Sequence, residues 1–348
     1  MKKLTIILML FHICIVPAMA AEHEFTAPAV PEQGEMLLPY TPDSFADGVQ
    51  TIVSKAIPLL YPACTEALEV CLQLFGIVLL ISVVEVIRDS KLGVLRVVGT
   101  LAISIALLGV SKSMIPLGAD TVTRISTYGK LLLPVMASAL AAQGGITTSG
   151  ALYVGTAFFD SVLTSLVDRI VIPFVYIFLA LSIASCAIGE DIIGKLKETI
   201  KNTLTWLLKI ILYTFTGYIT ISGAVSGSTD AMTMKAAKIT ISGVVPVVGG
   251  ILSDASEAVI VSAGIMKNAA GMYGILAILA LLIGPFLQLG IQHLVLKCTS
   301  TMCQSFGNKQ LCSLINDFSA AMGIILAATA AVSFMMVVST VCFMKVIE

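Results

Sequence analysis

Apolar residues gather along this chain into runs close to the roughly 20 residues that cross a bilayer as a helix. The clearest lie at about 68–87, 92–115, 170–188, 204–225, 272–296 and 320–344. They predict an all-α fold, a polytopic transmembrane helical bundle. Two further stretches, 131–167 and 226–271, are only moderately apolar. Both are rich in Gly, Ser, Thr and Ala, and Pro134 and Pro246 interrupt them. They read as short pairs of crossings, as re-entrant hairpins or as amphipathic helices at the interface, because irregular backbone at membrane depth needs cover from protein or water. The expected number of membrane segments is therefore six to eight.

The start of the chain follows another pattern. Lys2 and Lys3 precede an apolar stretch over 4–16, and Ala18 and Ala20 stand in an A-x-A arrangement. That pattern predicts a cleavable signal peptide over 1–20. Residues 21–65 form a polar, acidic lead-in with Pro28, Pro31, Pro39 and Pro42, expected outside the cytoplasm and carrying a short amphipathic helix near 45–60. Residues 66–348 make up the multi-pass domain. Nine of its basic residues fall in three clusters: Arg88, Lys91 and Arg96; then Lys195, Lys197, Lys201 and Lys209; then Lys297 and Lys309. The positive-inside bias puts all three clusters on the cytoplasmic side.

Composition reinforces this picture. The 348 residues are 57% hydrophobic and only 12% charged, with a mean hydropathy of +1.01, whereas soluble domains carry about 25% charged residues. A net charge of -1 gives no basic surface for nucleic acid. The eight cysteines are scattered. Cys298, Cys303 and Cys312 share one short segment, but without C-x-x-C spacing or a histidine at ligand distance they read as small apolar side chains. No metal and no cofactor is expected. Metalloprotease, nucleophile-elbow, P-loop and dinucleotide signatures are missing from the sequence, so no catalytic residue is assigned. Of three histidines, only His293 lies in a later apolar run; it is either a proton shuttle or a packed or snorkelling ring.

Three groups of residues are candidates for function. Thr156, Asp160, Thr164 and Asp168 recur every fourth position, which puts them on one helix face. Two carboxylates facing lipid would be expensive, so the stripe either lines a hydrophilic path or belongs to an interfacial helix with its acids among the headgroups. In the second ambiguous stretch, Lys235 and Lys238 precede Pro246, Gly249 and Gly250, while Asp254 and Glu257 follow them. This reads as a hairpin with charged shoulders, either a re-entrant element at a pore or partner contact, or two surface helices with solvated faces. Gly323, Ala327 and Ala331 form a small-xxx-small ladder suited to close helix packing.

The order of four segments carries a resemblance: KLLLPVM (130–136), TDAMTMKAAK (229–238), VVPVVGG (244–250) and LSDASEAVIVSAGIMKNAAG (252–271). Together they resemble the stage III sporulation protein AE family of endospore-forming bacteria, over roughly 66–346. The resemblance implies a non-enzymatic subunit, conduit or scaffold, of a secretion-like channel linking mother cell and forespore. It further implies residence in the mother-cell-derived outer forespore membrane and a need for the protein in late forespore gene expression. Its implied partners are a secretion-type ATPase, ring-forming single-pass proteins and a forespore-membrane protein, besides membrane lipid, with a homo-oligomer left open. The residues themselves leave a second reading open, a secondary transporter of a small solute or ion, in which Asp160, Asp168 or Asp254 binds cargo at mid-membrane.

Overall fold

The structure, a computed structural model, describes residues 28–38, 44–88, 93–189, 191–244, 249–306 and 308–345, with side chains left out at 32–33, 86–88, 93, 191–192 and 223–260. The expected signal peptide lies outside the described residues, as does Pro246. Helices make up nearly all of the described residues, and no strand occurs among them. They are α1 (Glu32–Glu35), α2 (Phe45–Arg88), α3 (Gly93–Ala142), α4 (Ile146–Leu166), α5 (Ile172–Ile188), α6 (Asp191–Val244), α7 (Gly249–Cys303) and α8 (Lys309–Lys345). A π turn over Val167–Val171 joins α4 to α5 without a break. It stands just ahead of Pro173, whose ring nitrogen has no hydrogen to donate to the preceding turn.

Six helices among the described residues are long and apolar enough to cross a membrane: α2, α3, α4 with α5, α6, α7 and α8. They coincide with the six strong apolar runs. The two ambiguous stretches add no crossing of their own. Residues 131–167 comprise the far end of α3 and the whole of α4, joined by a tight turn in which Gly144 adopts φ 95°, a conformation that a Cβ would strain. Of the second stretch, residues 226–244 end α6 and 249–271 begin α7. The expected short helix at 45–60 is the first part of α2, which runs unbroken through Pro58 and Pro62. At 1.5 Å per residue, the 50 residues of α3 extend about 75 Å, far beyond a hydrocarbon layer of about 30 Å.

Alternation of direction brings the connections after α2, α5 and α7 to one end of the bundle. All three basic clusters lie at that end, which the positive-inside bias assigns to the cytoplasm. Side chains stitch it together. Arg96 on α3 donates to the carbonyls of Ala187 (3.2 Å) and Ile188 (3.0 Å), the last carbonyls of α5, and reaches Gln310 on α8. A cation at a helix C-terminus satisfies orphan carbonyls and opposes the dipole. Gly189, at φ 80°, closes the same helix. Asn308 caps α8 by accepting the Leu311 N–H and donates in turn to Glu85 on α2.

The centre of the bundle is α8. Of its apolar stretch 61% is buried, against 22–44% in the other five. It packs most extensively on α7 and α3 and also touches α4, α5 and α6. Its buried Ala321, Ala328 and Ala331 let neighbouring backbones come close, as membrane helix packing requires. The flanking pair α4 and α6 meets as tightly at Gly155, where a Cβ would fall on the ring of Tyr218, whose hydroxyl donates to the Ala151 carbonyl at 2.9 Å. The substitution Gly155→Leu should therefore force α4 and α6 apart and cost about 1–3 kcal/mol. Gly150, with open space around its Cα, serves as the control. Thermal unfolding of the detergent-solubilised protein should show a lowered midpoint for G155L and an unchanged one for G150L; equal losses would refute this account of the contact.

Candidate functional site

Inside the bundle a polar seam joins α3, α4 and α8. Asp160 is 1% exposed, and Ser126 on α3 donates to its Oδ2 at 2.6 Å. Its second oxygen, Oδ1, has no hydrogen-bond partner among the described residues. One turn away, the hydroxyls of Thr156 and Ser339 hydrogen-bond each other across α4 and α8. Lys130, one turn beyond Ser126, adds an attractive charge. A carboxylate buried this far in protein is tolerable only with such partners. The seam thus fixes the relative rotation of three helices at a position where apolar packing alone would allow sliding.

The four-residue stripe does not stay on one face. Thr156 and Asp160 are buried, Thr164 is half-buried and Asp168 is exposed. Each four-residue step on a helix of 3.6 residues per turn overshoots by about 40°. Three steps carry Asp168 about 120° away from Thr156, and it sits within the π turn besides. The two acids therefore face different surroundings and do not converge as a pair. Ser126 and Ser339, the partners within the seam, were not singled out from sequence. Nothing local marks them, since they lie 34 and 183 residues from the groups they bond.

Of the second candidate group, Gly249 and Gly250 open α7, while Lys235 and Lys238 lie on α6 and Asp254 and Glu257 on α7. The side chains of these six residues lie outside the described ones. Where description resumes, Lys267 on α7 is 2% exposed. On the small-residue ladder, Ala331 packs in the core, while Gly323 and Ala327 line a recess between α6, α7 and α8.

The basic end holds further polar contacts. Lys197 on α6 pairs with Asp317 on α8, both side chains largely buried. Lys297 donates to Asn316 at 2.6 Å. The His293 Nδ1 lies 2.7 Å from the Ser319 carbonyl oxygen, which fixes its ring against α8. Cys186 sits 3.2 Å from the Thr100 hydroxyl, and Cys71 accepts from Thr299. All seven described cysteines are free, and among the described residues no group of three His, Cys, Asp or Glu side chains gathers around a point.

Comparison with known proteins points the same way as the helix pattern. The family described as stage III sporulation protein AE matches residues 41–346. A curated relative, Stage III sporulation protein AE of Bacillus subtilis (strain 168), is 24% identical over 220 residues, covering 63% of this chain. The chain thus spans about half, 55%, of that relative's length. No solved structure matches.

The seam makes a graded prediction. Asp160→Ala removes the acceptor that Ser126 uses and should cost about 1–2 kcal/mol, whereas Asp160→Asn keeps an acceptor there and should cost less. Thermal unfolding in detergent measures both. If the two variants lose equally, or neither loses, the Ser126–Asp160 contact does not hold α3 to α4.

Proposed function

Because the chain belongs to the stage III sporulation protein AE family, we propose that it is a non-enzymatic membrane subunit, conduit or scaffold, of a secretion-like channel between mother cell and forespore. The match over 41–346 carries this reading. On it, the protein sits in the mother-cell-derived outer forespore membrane and works with a secretion-type ATPase, ring-forming single-pass proteins and a partner in the forespore membrane.

The packed interior favours the scaffold side. Five helices surround α8, and the polar stripe that might have lined a path turns Thr156 and Asp160 into helix contacts. Cargo then passes between copies of this subunit or between it and its partners, and not along the axis of one copy. The long extensions opposite the basic end, including the segments of the family likeness at 229–271, supply the surface for those partners.

Deleting the gene in the sporulating host should leave engulfment intact and abolish late forespore transcription, read with a reporter under a late forespore promoter. Normal reporter activity in the deletion strain would refute the proposal. Solute uptake by the purified protein alone in vesicles would instead establish the transporter reading.

A further inference from the structure

Between α6, α7 and α8, near the basic end, lies a recess of about 390 Å³. Its polar wall carries Lys201, Lys209, Lys297 and His293, and no carboxylate lines it. Among the described residues none of these three lysines is paired with an acid; the described ion pair nearby is that of Lys197 with Asp317. Three unpaired positive charges gathered in one concave site favour an anionic ligand.

The recess does not end at the lysines. Leu212 forms part of its wall and also of a second recess, of about 510 Å³, bounded by Tyr213, Thr216, Ile221 and Phe334. The second recess is apolar and runs along α6 away from the basic end. From Lys209 to Ile221 the helix rises about 18 Å, close to half the roughly 30 Å hydrocarbon thickness. A cationic opening at the interface thus leads into an apolar groove about one leaflet deep.

The sequence builds this shape through α8. Gly323 and Ala327 leave room where larger residues would fill the gap between α6 and α8. A Cβ at Gly323 would come within 3.0 Å of the His293 ring. Two members of the small-residue ladder therefore open a site, while Ala331, further along, closes a helix contact.

We propose that the two recesses together bind one anionic phospholipid of the surrounding bilayer, its phosphate among Lys201, Lys209 and Lys297 and an acyl chain along Leu212 and Phe334. Basic pockets between membrane helices on the cytoplasmic side suit such headgroups. The apolar continuation distinguishes this ligand from a soluble phosphate compound, which would leave the groove empty. The proposal needs only the bilayer and is independent of the channel reading above.

Native mass spectrometry of the full chain in mild detergent tests it, with phosphatidylglycerol titrated against phosphatidylcholine of identical acyl chains. The wild type should bind phosphatidylglycerol roughly 10- to 100-fold more tightly. The triple variant K201Q/K209Q/K297Q should lose that preference, and the charge-matched variant K55Q/K112Q/K345Q should keep it. Thr216→Phe, which fills the groove and leaves the lysines, should weaken phosphatidylglycerol binding as well. Equal binding of the two lipids by the wild type, or an undiminished preference in the triple variant, would overturn the proposal. So would inorganic phosphate competing as well as the lipid, because the site would then recognise only the anion. Should the triple variant fail to fold, a photoreactive phosphatidylglycerol on the wild type decides: crosslinks to α6 and α8 around Leu212 and Phe334 support the site, and crosslinks elsewhere refute it.

Discussion

Burial of α8 is the constraint on which the other helices depend. In a bilayer, lipid tails are as apolar as leucine, so no hydrophobic force draws one helix to another. Association rests on close packing and on polar contacts sealed from lipid. Ala321, Ala328 and Ala331 keep α8 thin where it is buried, so that α3 and α7 can close on it and α4, α5 and α6 can complete the ring. A bulky residue at those positions would push α8 away from the helices that pack on it.

Polar contacts then fix the rotations that packing leaves free. Arg96 ties α3 to the end of α5 and to the first turn of α8, and Lys197 ties α6 to Asp317 on α8. At greater depth, Ser126 holds Asp160, and Thr156 holds Ser339. Three of the four join α8 to helices earlier in the chain, and the fourth joins the consecutive α3 and α4. A buried acid or base left without its partner is strongly destabilising, so such pairs discriminate against every rotation but one.

Much of the fold was legible in the sequence because the six strong apolar runs obey a length rule that the bilayer imposes. The three basic clusters likewise fall at one end of the bundle, as a second rule of the same kind expects. The extent of the helices was not legible. Gly, Ser, Thr and Ala at 131–167 and 226–271 neither force a helix to stop nor show that it continues, and tertiary contacts such as Gly155 against Tyr218 decide the matter. Of the polar stripe, Thr156 and Asp160 turn inward and bond neighbouring helices. The stripe was extended too far at Asp168, because a period of four drifts around a helix of 3.6 residues per turn. The partners Ser126 and Ser339 could not be identified before the chain was folded, since only the packing of α3 and α8 on α4 brings them to the seam.

The two ends of the bundle differ in kind, and that difference bears on how a membrane subunit would be held in register. At the basic end, lysines and Arg96 crowd the level at which α6 enters its apolar run, so vertical movement would drag charge into hydrocarbon or pull apolar surface into water. A charge near the headgroups resists the first motion more steeply than an apolar side chain resists the second. The bundle is thereby pinned at one face, and the packed helices extend beyond the layer at the other. Parts that project about 45 Å beyond a 30 Å layer hold their height above the membrane only if their own base does not slide. The cationic recess between α6 and α8, lying at that pinned level, is where a bound lipid would add most to the anchoring.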